Sequence, residues 1–282
     1  MLIDTHAHLN FATFKDDIGE VVDRIKADGM KVINVGSQLS TSQRAVELVQ
    51  QYPDTLYAAV GLHPIHLFAM EVDEVEIPFK TRVEEFSSEA YENLGQRSGV
   101  VAIGETGIDY FHQPGKVSTT EFKTKQKWTF LKQLQLAKKL DLPVIVHCRG
   151  EKAAMAQAYR DAARIIKDFG YSKAVVHCFT ADWESAKLFL DLGLFISFTG
   201  VITYPKTDVL ADVVKKTPLE RIMVETDAPY LAPQLVRGKR NEPRFVRYVA
   251  DRIAEIKGVS YDEVEARTTE NAIDFFKLKV YG

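Results

Sequence analysis

A chain of 282 residues, 46% of them hydrophobic, is long enough to bury a large core in one domain or two. Its formal net charge of −3 excludes a globally basic nucleic-acid-binding protein, so any contact with nucleic acid must be local. No apolar run approaches the length of a membrane span, and the N-terminus lacks a basic region followed by an apolar stretch. We therefore expect a cytoplasmic protein that makes no contact with a membrane.

Residues 2–10 combine a short apolar run with two histidines. The run predicts a buried strand that ends in His6 and His8. Residues two apart on a strand point to the same face, so both imidazoles can reach one metal ion. Imidazole is the commonest protein ligand of zinc-class metals. By itself, the motif does not distinguish a metal site from two histidines that end a strand by chance.

Strand and helix signals alternate along the rest of the chain. Apolar runs predict further strands at 31–36, 56–61, 100–105, 142–147, 174–177, 194–198 and 222–227. Helical spacing and capping signals predict helices at 16–29, 40–51, 80–96, 118–140, 151–168, 181–192, 207–216, 242–257 and 261–277. Capping boxes are expected at Ser40 with Gln43, Ser118 with Glu121 and Ser260 with Glu263.

Segment 65–98 is longer than a minimal connection between a strand and a helix, and it carries an acidic run. We expect a loop elaboration over one end of the sheet, followed by the helix at 80–96. A small separate lid is the alternative.

This alternation predicts a (β/α)8 TIM barrel, as a single domain over residues 1–282. The alternative is an open doubly wound parallel sheet. The strands at 2–10, 100–105, 142–147, 174–177 and 222–227 all end in His, Glu or Asp, at the carboxyl ends where barrel active sites form. In an open sheet these ends would lie along a line too long to converge on one site, so the barrel is favoured.

Glu105 and the two cysteines carry further expectations. On a regular strand Glu105 shares a face with Val101 and Ile103, and a buried acid there needs a charge partner or a metal.

Cys148 and Cys178 each follow a histidine directly, so their thiols are expected to face the covering helices. We interpret them as small buried hydrophobes rather than a disulfide or a metal pair.

Taken together, the local motifs resemble those of the TatD family of metal-dependent deoxyribonucleases, within the amidohydrolase superfamily. The chain carries IDTHAHL at 3–9, GLHP at 61–64, GETGIDY at 104–110, VHCR at 146–149, HCF at 177–179, ETDAPYL at 225–231 and RGKRNEP at 237–243. The resemblance runs from residue 1 to about residue 277. Position 10, usually Asp in this family, is Asn10, which we do not expect to be a ligand.

The resemblance implies two divalent metal ions, which would be zinc, manganese or magnesium. One ion would be bound by His6, His8, Glu105 and Asp227. The second would be bound by Glu105, His147 and His177, with Glu105 as the bridge. A carboxylate suits this bridge because each of its oxygens can bind one ion. Glu105 and Asp227 are thus expected to be catalytic, Asp227 as the general base that activates water.

Other residues near the predicted site are expected to contact substrate phosphate: His63, Arg149, Arg237 and Arg240. The alternative role of His63 is a hydrogen bond within its loop, and that of Arg149 is a surface ion pair. The alternative for Arg237 and Arg240 is a solvated loop. We expect Glu225 to support a ligand rather than to bind metal. His66 and His112 are interpreted as ordinary loop histidines, and Tyr110 and Phe111 as core residues, although both rings could stack on a base.

The favoured function is therefore a deoxyribonuclease, acting as an exonuclease on single-stranded DNA or on DNA ends. An amidohydrolase-type enzyme acting on a small ester or amide with the same metal centre is the alternative. A third possibility is a metal-bound barrel that serves only as a binding scaffold. The basic loop at 237–240 favours the nuclease, whereas the net negative charge favours a small substrate. The intact ligand set argues against the scaffold. DNA is the expected partner, and no protein partner is predicted.

Overall fold

Eight parallel strands in this computed structural model form one sheet, in which each strand lies beside the next of the eight along the chain. The structure describes residues 1–72, 79–151 and 154–279. The strands are β1 (Ile3–Ala7), β2 (Lys31–Val35), β3 (Leu56–Val60), β6 (Val100–Asp109), β7 (Val144–Arg149), β8 (Ala174–Val176), β9 (Phe195–Phe198) and β10 (Ile222–Val224). A separate antiparallel pair, β4 (Glu71–Val72) and β5 (Phe79–Lys80), lies in the long connection after β3.

The helices follow the strands as the sequence predicts. They are α1 (Ile18–Ala27), α2 (Leu39–Gln51), α3 (Ser88–Gly95), α4 (Thr119–Leu140), α5 (Ala156–Phe169), α6 (Trp183–Leu190), α7 (Asp208–Lys216), α8 (Val246–Lys257) and α9 (Tyr261–Phe276). Within the ranges described, no helix is both long and apolar enough to cross a bilayer.

The sheet closes on itself between its first and last strands. Ala7 forms a parallel bridge with Ala228, and the backbone N–H of His8 donates to the carbonyl of Ala228 at 2.7 Å. The N–H of Asp227 likewise donates to the carbonyl of His6 at 2.8 Å. The (β/α)8 barrel prediction is confirmed, and the open doubly wound alternative is wrong.

Two apolar layers hold the barrel together. A small cluster that includes Ile33, Val101, Ile145 and Met223 fills the barrel interior, and Phe276 of α9 packs against it. A larger cluster lies between the outer faces of the strands and the helices. Buried parallel strands are covered on both faces, which is why they read as continuous apolar runs in the sequence.

Several local expectations need correction. Helix α2 begins at Leu39, and the side chain of Thr41, not the predicted pair of Ser40 and Gln43, caps its start by accepting the N–H of Gln38 at 2.8 Å. The helix expected at 80–96 begins only at Ser88. The side chain of Thr81, within that predicted range, accepts a hydrogen bond from the N–H of Met70 at 2.8 Å.

Other boundaries are closer to expectation. The caps at Ser118 and Ser260 are confirmed, since each hydroxyl accepts the N–H of the residue three positions later. The helices expected from 151 and 242 begin at Ala156 and Val246. Residues 73–78 of the predicted elaboration and residues 152–153 of the predicted helix lie outside the described ranges.

Two glutamines of α4 bind the strand ends on which the site is built. The amide of Gln133 accepts the N–H of Leu62 and donates to its carbonyl, both at 2.9 Å. Two turns nearer the start of α4, on the same helix face, the amide of Gln126 makes the same pair of bonds with Asp109, at 2.8 and 2.7 Å. Leu62 and Asp109 lie beyond the residues through which β3 and β6 pair with each other. The glutamine amides supply the backbone hydrogen bonds that a paired strand would otherwise make at these positions.

We expect Gln133→Leu to lower the free energy of unfolding by about 3 kcal/mol, because it leaves a buried N–H and a buried carbonyl without partners. Gln135→Leu on the exposed face of the same helix is the matched control and should change stability by less than about 0.5 kcal/mol. Urea unfolding followed by circular dichroism measures both values. Equal stability of the two variants would contradict the role assigned to Gln133.

Candidate metal centre

The residues of the predicted ligand set meet at the carboxyl end of the barrel. Glu105 lies in the middle of β6, and the other residues lie in the second half of a strand or in the residues that follow it. The full set is His6, His8, Glu105, His147, His177 and Asp227. The structure thus brings together side chains that are up to 221 positions apart, counted from His6 to Asp227 (227 − 6).

One oxygen of Glu105 faces the two histidines of the first strand. Glu105 Oε2 lies 3.4 Å from His6 Nε2 and 3.8 Å from His8 Nε2. The two imidazole nitrogens are 3.2 Å apart. Asp227 Oδ1 completes this group, 3.3 Å from His8 Nε2 and 3.7 Å from His6 Nε2. Four donor atoms are therefore gathered here, and imidazole and carboxylate atoms are the kind that bind zinc-class metals.

The other oxygen of Glu105 faces a second pair of histidines. Glu105 Oε1 lies 2.8 Å from His147 Nδ1 and 2.6 Å from His177 Nε2. These two nitrogens are 3.3 Å apart. The two donor groups meet at the Glu105 carboxylate, where the rings of His6 and His177 stack with their centroids 4.0 Å apart. The residues present fit a centre with a bridging carboxylate.

The electrostatics of the site favour positive charge between these groups. Burial by itself would raise the pKa of the Glu105 carboxyl, but His177, His63 and His147 hold that pKa well below its ordinary value. Burial would lower the pKa of the His177 imidazole, yet Glu105 and Glu225 raise it well above its ordinary value. A buried carboxylate that must stay ionised needs cations beside it, and protons or metal ions can supply that charge.

The backbone departs from regular strand geometry where it presents these side chains. The pairing register shifts in β1 between Asp4 and Ala7, and in β6 on both of its sides. Ile103 consequently packs in the outer layer, whereas Val101 packs inside the barrel. The prediction that Glu105 shares a face with both residues is wrong, because it assumed unbroken alternation.

Several backbone positions near the ligand set have positive φ angles, and Gly107 and Asp227 are two of them. Gly107 has a φ of 148°, and a Cβ atom there would lie 2.1 Å from the carbonyl oxygen of His147. Only glycine therefore allows β6 to lie this close to β7. Asp227 has a φ of 57°, in the left-handed region that Asp tolerates better than most residues. Such conformations cost roughly 1 kcal/mol or more and cluster at functional sites.

Comparisons with known proteins show the family of this chain. A family model described as "TatD related DNase" matches residues 3–277. The chain belongs to the TatD family. The "uncharacterized metal-dependent hydrolase" YabD of Bacillus subtilis is 37% identical over 99% of this chain and 100% of its own length. Tatdn3 of Danio rerio, provisionally named a deoxyribonuclease, is 32% identical over 99% of this chain and 98% of its own.

Solved structures show the same relationship. The crystal structure of YjjV, a TatD homolog from Escherichia coli K12, matches with a TM-score of 0.81 and 29% identity, over 99% of this chain and 98% of that one. A TatD-family hydrolase from Entamoeba histolytica matches with a TM-score of 0.78 at 24% identity, over 97% of each chain, which supports the fold alone.

In this TatD-family chain, backbone and carboxylate groups orient the candidate ligands. His8 Nδ1 donates to the carbonyl of Val35 at 2.8 Å, which leaves the Nε2 lone pair free for a metal. The Asn10 amide donates to the same carbonyl at 3.1 Å. Glu225 Oε1 lies 3.3 Å from His177 Nδ1 and accepts the N–H of Cys178 at 2.6 Å. Glu225 therefore lies beside a ligand, as expected of a supporting residue.

Asp109 is a residue of the site that the sequence analysis did not single out. Its Oδ2 lies 3.3 Å from His147 Nε2, on the opposite side of the ring from Glu105. The same carboxylate accepts the N–H groups of Phe111 and His112 and, at 2.7 Å, a bond from His112 Nδ1. His112 is therefore more than an ordinary loop histidine. A buried acid that follows Glu105 in the same motif was the available signal.

His63 also reaches the centre, through its Nε2, which lies 3.3 Å from Glu105 Oε1. Its Nδ1 accepts the N–H of Ile65 at 3.1 Å, so in the neutral ring the proton is on Nε2. Burial lowers the pKa of His63 to about 4, which keeps the ring neutral at pH 7. His63 thus presents a hydrogen-bond donor to the centre rather than a metal-binding lone pair.

The three arginines expected to contact phosphate differ in their surroundings. The Arg149 guanidinium stacks 4.2 Å from the centroid of the Phe111 ring, at the carboxyl end of β7. Arg237 is exposed and lies 4.5 Å from the ring centroid of Tyr204. Arg240 instead forms ion pairs with Asp17 and Glu242. These contacts occupy its donors and favour a structural role for Arg240.

The aromatic residues and cysteines around the site follow the predictions in part. Tyr110 is buried and donates to Asp161 at 2.8 Å, as expected of a core residue. Phe111 is 38% exposed, so the prediction of core packing is wrong for this ring.

Cys148 packs in the layer beneath the helices, as predicted. Both cysteines are free thiols, and burial raises the pKa of Cys178 to about 12.

We expect Asp109→Asn to weaken metal binding by about 10- to 100-fold, because the carboxylate beside His147 sets the orientation and basicity of that ring. Competition with a chromogenic chelator measures the affinity. Asp161→Asn, at a buried aspartate that binds Tyr110, is the matched control and should leave the affinity unchanged. Equal affinities for Asp109→Asn and the unaltered protein would refute the orienting role.

Proposed function

We propose that this metal-dependent hydrolase cleaves phosphodiester bonds of DNA, at single strands or at DNA ends. The observation that carries the proposal is the division of Glu105 between two donor groups, one oxygen to each. Enzymes that hydrolyse phosphodiesters commonly use paired divalent ions in this way. The name of the relative tatdn3 and the description of the family model support DNA as the substrate.

Two divalent ions are proposed, one for each donor group. The first would be held by His6, His8, Glu105 and Asp227, and the second by Glu105, His147 and His177. Mixed imidazole and carboxylate donors suit zinc or manganese and permit magnesium. Ions bound there would supply Lewis acidity, which acidifies water and offsets the negative charge that develops on phosphoryl oxygens.

Asp227 is the proposed general base. Burial would raise the pKa of its carboxyl, but the contact with His8 lowers that pKa below its ordinary value, so the group is ionised at neutral pH. Its backbone is tied to β1 through the N–H donated to His6, which fixes where the carboxylate points. From that position Asp227 accepts the proton that the attacking water loses.

The proposed phosphate contacts use both neutral and charged donors. The Nε2–H of His63 is directed at the centre and donates to a non-bridging phosphoryl oxygen. Arg149 offers a planar guanidinium that can bind phosphate with two parallel hydrogen bonds. Arg237 remains a candidate for a more distant phosphate, since it is exposed in the loop after β10.

The test is digestion of end-labelled single-stranded DNA by metal-stripped protein, with zinc, manganese or magnesium added back. We expect cleavage only with metal, and we expect Asp227→Asn to lower the rate by about 10²- to 10⁴-fold because it removes the base. Glu105→Ala should abolish cleavage. Glu121→Gln, at an exposed residue in the first turn of α4, is the control and should retain the full rate.

Absence of cleavage by protein that still binds its ions would refute the DNA substrate. The same metal-loaded protein would then be assayed with small esters and amides. Hydrolysis of those compounds alone would assign the centre to an amidohydrolase-type reaction.

A further inference from the structure

We propose that Phe111 and Arg149 form a subsite for one unpaired nucleotide, whose base stacks on Phe111 while its phosphate binds Arg149. The proposal rests on the DNA substrate proposed above and goes beyond it by naming the unit that is recognised. It assigns a function to Phe111, an aromatic ring that remains 38% exposed at the end of β6.

The backbone of Phe111 lies close to a residue of the candidate metal centre. Asp109 Oδ2 lies 3.3 Å from His147 Nε2, and Asp109 Oδ1 accepts the N–H of Phe111 at 2.9 Å. Two residues of extended chain span at most about 7 Å, so Phe111 follows the centre closely in space. A nucleotide adjacent to the cleaved bond can therefore reach it.

The backbone around Phe111 is held in place by hydrogen bonds. Pairing between β6 and β7 continues to Asp109 and Arg149, and the N–H of Tyr110 donates to the carbonyl of Arg149 at 2.7 Å. The Asp109 carboxylate also accepts the N–H of His112 at 3.0 Å. A ring on such a backbone loses little conformational entropy when a base stacks on it.

Positive charge accompanies the ring. The Arg149 guanidinium lies 4.2 Å from the Phe111 centroid, so a cation and an aromatic platform occur together. The Lys123 ammonium lies nearby, 4.4 Å from the ring of Tyr110, and it is 3.4 Å from the carboxylate of Glu151. This local charge complements a phosphodiester, which the overall charge of −3 does not.

The chemistry of Phe111 and Arg149 predicts which form of DNA the subsite recognises. Stacking of a base on an aromatic ring tolerates any sequence, because every base has a π face. A base in a duplex is already stacked and paired, so only an unpaired base can use the ring. The subsite thus favours single strands and frayed ends over intact duplex.

The experiment compares two substrates, a labelled oligothymidylate and a strand of equal length whose nucleotides near the cleaved end carry a tetrahydrofuran spacer in place of the base. With the base present, we expect Phe111→Ala to raise KM about tenfold with little change in kcat. Phe111→Tyr should restore KM. Without the base, the unaltered protein and Phe111→Ala should have equal KM values.

The control is Trp128→Ala, which removes another exposed aromatic ring, nine residues and about 14 Å along α4 from its first residue. It should leave KM unchanged. Unchanged KM in Phe111→Ala, or an equal rise in KM on both strands, would overturn the subsite while leaving the nuclease proposal intact. Equal KM of the unaltered protein for the two strands would also overturn it, without relying on any variant. Failure of the unaltered protein to cleave any DNA would overturn both proposals.

Discussion

The constraint on which this structure depends is the burial of an ionised carboxylate, Glu105, inside a barrel. Removing a carboxylate from water is costly unless charges or hydrogen bonds replace the water. Here four imidazoles lie within 3.4 Å of one or other of its oxygens: His6, His63, His147 and His177. The chain thereby concentrates negative charge where cations can bind, and the two oxygens face different histidines, as a bridging carboxylate would.

The rest of the fold serves to hold these side chains in place. An apolar layer fills the barrel interior, so the polar groups are confined to the carboxyl end. The register shift in β1 lets His6 and His8 point to the site, although regular alternation from the inward-facing Ile3 would turn them outward. Gln126 and Gln133 reach from α4 to bind the strand ends at Asp109 and Leu62. Stability and function are thus linked, since the same hydrogen bonds that complete the fold also position Asp109 and the residue before His63.

The strands could be predicted because buried parallel strands are short apolar runs, and the candidate ligands could be located because those runs end in His, Glu or Asp. What escaped prediction depends on geometry that the sequence does not display. Asp109 lies past a register shift, so alternation could not place it beside His147. In the first part of the predicted third helix, Thr81 instead contacts the preceding loop, and Ser87 caps α3 by accepting the N–H of Ala90. The exposure of Phe111 contradicts the usual burial of an apolar residue, and the ion pairs of Arg240 depend on Asp17, a residue distant in sequence.

The most direct test of the central claim is calorimetric titration of metal-free protein with zinc or manganese. The account predicts two ions per chain. Glu105→Gln should weaken both sites together, because each oxygen faces a different donor group, whereas Glu225→Gln should weaken only the site that includes His177. A single site in the unaltered protein, or a Glu105→Gln variant that retains one site at full affinity, would contradict the bridging role of Glu105.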